Sequence, residues 1–153
     1  MTKKPNPSEK PPPHRSAESA SNQHLRTRRD HASETAEDYV EAIAIIQAER
    51  GLCRLTDLAK HFVVSHVTAS KILARLDREG LVATVPYAPV KLTAAGERLA
   101  KQSRTRHEIV LAFLLALGVR TETAETDAEG IEHHVSQETL ACMVQFTEQK
   151  NPI

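Results

Sequence analysis

Apolar side chains recur every three or four residues in the stretch that follows residue 35, a spacing typical of one buried helix face. The stripe consists of Val40, Ile43, Ala44 and Ile46. Hydroxyl side chains from Ser33 to Thr35 can cap a helix start, Glu34 and Glu37 would favour its positive end, and Gly51 can end it. We therefore predict a first helix from about residue 34 to Arg50.

Residues 55 to 93 follow the order short helix, tight turn, second helix, two short strands. The segments are 55–62 for the short helix, 63–65 for the turn, 66–79 for the second helix, and 81–85 and 90–93 for the strands. Gly80 can end the second helix, and two prolines lie between the strands. This order favours a winged helix-turn-helix that binds DNA over a winged helix that binds protein.

The exposed start of the second helix would enter the major groove, because short polar side chains and a lysine there can contact base edges. Basic residues around it would contact phosphates. The residues predicted to lie near the bases are Ser65, His66, Val67, Thr68, Ser70 and Lys71. The predicted phosphate contacts are Lys60, Lys71, Arg75, Arg78 and Lys91.

The second half of the chain is predicted to be helical throughout. Thr93 can cap a long helix from Ala94 to about Leu117, which Gly118 would end. A further helix, capped by Thr121 or Thr123, and a final helix from Ser136 follow; the late apolar face of Leu140, Met143, Val144 and Thr147 suggests a dimer surface. The predicted fold is mostly α, with a winged helix-turn-helix domain (34–93) joined by a long helix to a small all-α dimerisation domain (94–150).

The net charge is zero but unevenly distributed. Residues 1–33 carry seven Lys/Arg and three Asp/Glu, residues 34–106 eleven and nine, and residues 107–153 two and eight. The first segment also holds five of the eight prolines and shows no apolar periodicity, so we expect a disordered basic tail. That tail could contact a polyanion or could only improve solubility.

The segment from Glu129 to His134 offers candidate chemistry. On a helix, Glu129, Glu132 and His133 would share one face, and their oxygen and nitrogen donors suit Mn²⁺ or Fe²⁺ better than a soft ion. Taken alone, the same residues are equally typical of a solvated helix surface. The pair Asp38 and Glu41 is open to the same two interpretations, and an isolated His107 is more typical of a hydrogen-bonded structural residue.

Three further features narrow the class of protein. Cys53 and Cys142 form no CxxC pair, which predicts two small buried side chains in a reducing cytoplasm. No apolar run reaches the length of a membrane span, and the first thirty residues lack a secretory signal. We therefore expect a soluble cytoplasmic protein without a membrane partner.

In combination, several motifs resemble the diphtheria toxin repressor family over about residues 34 to 150. They are Glu37-Asp38-Tyr39-Val40-Glu41, the winged helix, Arg106-His107-Glu108 and the Glu129 to His134 run. The resemblance implies one metal site between a DNA-binding and a dimerisation part, with ligands at Asp38, Glu41, His107, Glu129, Glu132 and His133. Iron-responsive members of that family have Met at the position of Asp38 and Cys at that of Glu129, so the resemblance is to the manganese-responsive branch.

The resemblance implies a repressor of metal-ion transport genes that binds double-stranded operator DNA as a homodimer when one or two Mn²⁺ ions, or Fe²⁺, are bound per subunit. An iron-responsive repressor of the same fold is the alternative. A dinuclear metal hydrolase is less favoured, because no glycine-rich loop or nucleophile motif lies near the candidate ligands. We expect neither an enzyme nor a small-molecule substrate.

Overall fold

The structure is a computed structural model, which describes residues 17–150. Its elements are α1 (Ala17–Arg50), α2 (Leu55–His61), α3 (His66–Arg78), β1 (Val82–Ala83), β2 (Lys91–Leu92), α4 (Ala94–Ala116), α5 (Thr121–Ile131), a 3₁₀ turn (Glu132–His134) and α6 (Gln137–Lys150). The predicted fold, mostly helical with a winged helix-turn-helix followed by a long helix and a helical second half, is confirmed. In the described residues, no helix is long and apolar enough to cross a membrane.

The predicted start of the first helix near Ser33 was wrong, since α1 begins at Ala17. No proline or glycine lies between Pro13 and Gly51, so nothing in that stretch breaks a helix. Residues 17–33, for which disorder was predicted, are thus part of α1, and the rest of the predicted tail lies outside the described residues. The chain divides between Ala32 and Ser33 into two compact units. In the first unit, residues 22–31 are all exposed.

The second unit contains the recognition elements. Ser65 caps α3 by accepting a hydrogen bond from the Thr68 backbone N–H at 3.1 Å. The strands β1 and β2 pair antiparallel, and an isolated bridge joins Cys53 to Val90 behind them. Together these elements enclose a first core that includes Tyr39, Ile43, Ile46, Cys53, Leu58, Leu73, Leu76, Val82 and Val90. The winged helix-turn-helix thus has a core of its own.

Three helices end in the same way. After α2, α3 and α4, one residue adopts a left-handed backbone conformation, and the next N–H bonds to the carbonyl five residues back. Two of the left-handed residues are Gly80 (φ 73°) and Gly118 (φ 93°), as predicted. The third is Val63 (φ 54°), which lies in the turn of the helix-turn-helix. A β-branched residue is strained in this conformation.

The second half packs around α4. Thr93 caps this helix, and a Cβ at Gly96 would lie 2.0 Å from the Leu81 carbonyl oxygen, so only glycine fits where α4 crosses the wing. A second core joins α4, α5 and α6: Val110, Leu114, Ala124, Ala128 and Leu140. Leu140, predicted to face a dimer partner, is therefore buried within its own chain.

Three local predictions in the second half differ from the structure. Helix α5 ends at Ile131, so Glu132 and His133 lie on a 3₁₀ turn and do not continue one regular helix face with Glu129. The N-cap residue of α5 is Arg120, whose side chain makes no capping hydrogen bond, whereas Thr121 or Thr123 was predicted to cap this helix. Cys142 is exposed on α6, whereas Cys53 is buried, and burial raises the pKa of its thiol to about 11.

Candidate metal centre and recognition surface

A cleft of about 880 Å³ in the second unit brings the predicted metal-binding residues together. Helix α1 contributes two of them, α4 one, α5 one and the 3₁₀ turn two, so the cleft joins the recognition part of the fold to its second half. The six are Asp38, Glu41, His107, Glu129, Glu132 and His133, and the lining also includes Glu34, His61 and His134.

His133 connects the 3₁₀ turn to α1. Its Nδ1 lies 2.8 Å from Glu37 Oε2, and its Nε2 lies 3.3 Å from Asp38 Oδ1 and 3.7 Å from Glu132 Oε1. The side chain is only 10% exposed. One imidazole therefore has carboxylates at both ring nitrogens, and two of these carboxylates belong to a helix nearly a hundred residues earlier in the chain.

The other side of the cleft is held by α4. His107 Nδ1 lies 2.6 Å from Glu132 Oε2, and the Glu132 carboxylate is buried. The Ser103 hydroxyl donates to Glu41 Oε2 at 2.9 Å. Because Ser103 is buried, this part of α4 has one face that packs against α1. All these contacts link elements that are distant in sequence.

Three groups of the cleft have pKa values that shift in the same direction, toward protonation. Burial raises the pKa of Asp38, and burial likewise raises that of Glu132 despite the nearby imidazoles. For His133, burial alone would lower the pKa, but the hydrogen bond to Glu37 and the charges of Asp38 and Glu132 outweigh it, so the pKa is raised. Protons thus offset negative charge that a cation could also offset.

Within residues 17–150, no three His, Cys, Asp or Glu side chains are arranged to hold one metal ion. The direct pairs of His133 with Asp38 and of His107 with Glu132 explain this, because each imidazole contacts a carboxylate where an ion would lie between them. The donor chemistry nevertheless fits a hard or borderline divalent ion. The side chains that line the described cleft provide carboxylate oxygens and imidazole nitrogens, and none of them contains sulfur.

Sequence reasoning missed two carboxylates of this region. Glu34 and Glu37 were assigned to a helix start, but α1 begins much earlier, and both face histidines of the 3₁₀ turn. Their spacing was the available signal, because positions 34, 37, 38 and 41 follow the i, i+3, i+4, i+7 pattern of one helix face. His134, left out of the predicted ligand set, pairs with Glu34 at 2.9 Å and is 58% exposed.

Arg106 fixes the 3₁₀ turn against α4. Its guanidinium donates to the backbone carbonyls of Glu132 and Val135, both at 2.9 Å. Gly130, which precedes this turn, also lines the cleft. A Cβ at Gly130 would meet nothing within 4 Å, so close backbone packing does not explain the glycine at this position.

Most of the predicted DNA-binding residues are exposed to solvent. Ser65, His66, Val67, Thr68, Ser70, Lys71, Lys60, Arg78 and Lys91 are all exposed. Arg75 is half-buried and pairs with Glu79 at 3.6 Å, so it is the least available of the predicted phosphate contacts. Val67 is 64% exposed and therefore points away from the first core.

Two family models match this chain, and together they cover most of it. Residues 31–90 match "Iron dependent repressor, N-terminal DNA binding domain", and residues 93–151 match "Iron dependent repressor, metal binding and dimerisation domain".

Proteins similar in sequence to this chain are named as transcriptional regulators. A "Transcriptional regulator MntR" from Salmonella typhimurium is 48% identical over 124 residues, which cover 81% of this chain and 79% of the relative. An "HTH-type transcriptional regulator MntR" from Bacillus subtilis is 34% identical over 104 residues, covering 68% and 73%. A solved "Manganese-dependent transcriptional repressor complex with manganese" aligns with a TM-score of 0.66 at 32% identity, over 73% of this chain and 52% of the other.

Proposed function

Because this chain belongs to the iron-dependent repressor family, we propose that it is a manganese-responsive DNA-binding transcriptional repressor. The family was expected from the motifs of the sequence, and the matches confirm it. The observation that carries the manganese proposal is the cleft, in which oxygen and nitrogen donors from α1, α4, α5 and the 3₁₀ turn lie together without sulfur.

The residues proposed to hold the metal are the six predicted from sequence. Asp38, Glu41, His107, Glu129, Glu132 and His133 all line the cleft. Six donors are enough for one or two Mn²⁺ ions, with Fe²⁺ as a possible substitute. When bound, the ion supplies positive charge that lowers the repulsion among four carboxylates.

The switch follows from where the donors originate. Asp38 and Glu41 lie on α1, whose apolar face belongs to the first core together with α2 and α3. His107 and Glu132 lie on elements of the second core or beside it. If residues of α1 and residues of the second half held the same ion, they would restrict the movement of the recognition unit relative to the second half. In a homodimer, this restriction would fix the spacing of the two α3 helices.

The proposed partners are operator DNA and a second copy of the chain. The exposed residues at the start of α3 would contact bases, while Lys60, Lys71 and Lys91 would contact phosphates. The match to a dimerisation domain over residues 93–151 supports the homodimer. We propose that the protein works in the cytoplasm and represses genes for metal-ion transport.

The iron-responsive repressor stays the alternative, since the family models carry iron in their descriptions and Fe²⁺ accepts the same donors. The family model and the relatives describe regulators of transcription and give no support to a dinuclear hydrolase.

Gel-shift titrations of a palindromic operator fragment with Mn²⁺, Fe²⁺ and Zn²⁺ test the proposal. We expect Mn²⁺ to promote binding of the wild type, and Glu132→Ala to remove most of that metal dependence, because it deletes a buried carboxylate between both histidines. Glu125→Ala is the matched control, an exposed glutamate of α5 outside the cleft. Wild-type binding that needs no metal, or that responds to Fe²⁺ alone, would overturn the manganese switch.

A further inference from the structure

We propose that Glu37 is a positioning residue of the metal centre, which fixes the ring of His133 through Nδ1 so that Nε2 is directed at Asp38 and Glu132. This inference rests on the proposed function, because it assigns His133 Nε2 as the atom that binds the ion. Glu37 itself would not touch the ion. The residue belongs to none of the donor positions expected from the sequence.

The hydrogen bond is short and well protected from water. His133 Nδ1 and Glu37 Oε2 are 2.8 Å apart, and the two side chains are 10% and 15% exposed. A carboxylate at this distance favours the tautomer in which Nδ1 carries the proton and donates it to the hydrogen bond. The lone pair then lies on Nε2, as a metal-binding imidazole requires.

The position of Glu37 separates it from the donors. Nδ1 and Nε2 lie on different edges of the imidazole ring, and Nε2 is the nitrogen near Asp38 Oδ1 and Glu132 Oε1. Asp38 lines the cleft, but the residue before it does not. Glu37 is therefore placed behind the histidine, where it can set the orientation of the ring without reaching the space between the donors.

A second pair one turn away provides an internal comparison. Glu34 Oε1 lies 2.9 Å from His134 Nε2, so the same helix and the same 3₁₀ turn form another Glu–His contact of similar length. His134 is 58% exposed and is not among the proposed ligands. Removal of Glu34 should disturb the helix-to-turn contact to a similar degree but should leave His133 oriented.

The test measures Mn²⁺ binding by isothermal titration calorimetry, with Mn²⁺ alone as the probe. We expect Glu37→Ala to weaken binding by about 10- to 100-fold, the range usual for the loss of a partner that orients a metal ligand. Glu37→Gln retains an oxygen acceptor for the Nδ1 proton and should recover part of this loss. Glu34→Ala should stay within about twofold of the wild type. Equal affinities of wild type and Glu37→Ala would overturn the inference.

A double-mutant cycle with His133→Ala distinguishes a positioning role from a direct one. If Glu37 acts through His133, the double variant Glu37→Ala/His133→Ala binds Mn²⁺ no more weakly than His133→Ala alone. Additive losses would show an independent role for Glu37, and the inference would fail. If the wild type does not bind Mn²⁺ at all, the proposed function fails first and the inference falls with it. Circular dichroism of each metal-free variant checks that it is folded.

Discussion

The recognition surface and the cleft are built on opposite physical principles. At the recognition surface, the side chains at the start of α3 are exposed, and the elements beneath them pack on a core of their own, with Leu58 and Leu76 fully buried. In the cleft, half-buried carboxylates and imidazoles contact one another across α1, α4 and the 3₁₀ turn. Apolar burial maintains the first region, whereas charge balance maintains the second.

This difference separates what an ion can change from what it cannot. Burial of apolar area depends little on pH or on divalent ions, so the shape of the recognition unit should persist in every metal state. Contacts among the raised-pKa groups of the cleft respond to protons and cations alike. Under the proposed switch, metal binding would change the placement of the DNA-binding unit while the unit itself stays folded.

The largest expected effect comes from the first core. Leu76→Ala should lower the free energy of unfolding by about 2–5 kcal/mol, because Leu76 is fully buried and its removal leaves a cavity. Since no charge is involved, the loss should be equal with and without Mn²⁺. Chemical denaturation under both conditions, followed by circular dichroism, measures it. Leu52→Ala, at a leucine that is 41% exposed, is the control and should stay within about 0.5 kcal/mol of the wild type.

A loss at Leu76 that differs by more than about 1 kcal/mol between the two conditions would show that the regions are coupled through their cores as well as through charge, since independent sites add within about 0.5 kcal/mol. The statement that the recognition unit is maintained by apolar burial independently of the charges in the cleft would then be wrong.

The next effect is the pH dependence of the cleft. The raised pKa of His133 means that its proton stabilises the metal-free fold below the ordinary value of 6.5, and that this contribution is lost as pH rises through the higher folded pKa. The raised pKa values of Asp38 and Glu132 act in the same direction, since both groups bind protons more readily when folded. To bind at the imidazole, Mn²⁺ must displace the proton of His133. Its affinity should therefore increase from pH 6 to 8, by up to about tenfold per pH unit for each proton released.

Thermal unfolding with and without Mn²⁺ between pH 6 and 8 provides the measurement, and the increase in Tm that Mn²⁺ causes should grow with pH. His134→Ala should keep this trend, because His134 is mostly exposed and lies outside the ligand set. An Mn²⁺ effect that is constant over the whole range would exclude His133 as a ligand.

The sequence predicted the recognition unit more completely than the cleft, for a physical reason. Helix periodicity, the Ser65 cap and Gly80 are local signals, and α2, α3 and the wing appear where these signals place them. The hydrogen bonds of the cleft span 25 to 96 residues and depend on packing that no local pattern encodes. Resemblance to a family supplied the six candidate ligands, but it did not reveal the partners that hold them.

Glu37 illustrates the limit. From the sequence, Glu37 was predicted to lie near the start of the first helix, so its interpretation depended on where α1 begins. The exposed residues before Ser33 contain no proline or glycine and gave no local signal that α1 begins at Ala17. Once the helix extends past Ser33, the carboxylates at positions 34, 37, 38 and 41 fall on one face. The pattern could have been found from spacing alone, but the identity of the facing histidines required the fold.

The smallest expected effect concerns strain at the recognition surface. Val63 occupies, with φ 54°, the left-handed position that Gly80 and Gly118 occupy after α3 and α4, and its side chain is 90% exposed. Val63→Gly relieves about 1–2 kcal/mol of backbone strain, partly offset by the larger entropy of glycine in the unfolded chain. The net expectation is a stabilisation of about 0.5–1 kcal/mol in chemical denaturation, because almost no packing is lost.

Gly118→Val is the reciprocal control, since a Cβ there meets nothing within 4 Å and only backbone strain should act. It should destabilise the protein by about 0.5–1 kcal/mol, because the smaller entropy of valine in the unfolded chain offsets part of the strain. Strained residues concentrate at functional sites, and Val63 lies between the two helices of the recognition unit, so we expect Val63→Gly to weaken operator binding while it stabilises the fold. If Val63→Gly is more stable but binds the operator more weakly, the strain lies in the recognition unit. There the burial of apolar side chains is strong enough to maintain it. A Val63→Gly variant that is less stable than the wild type would remove the argument from strain altogether.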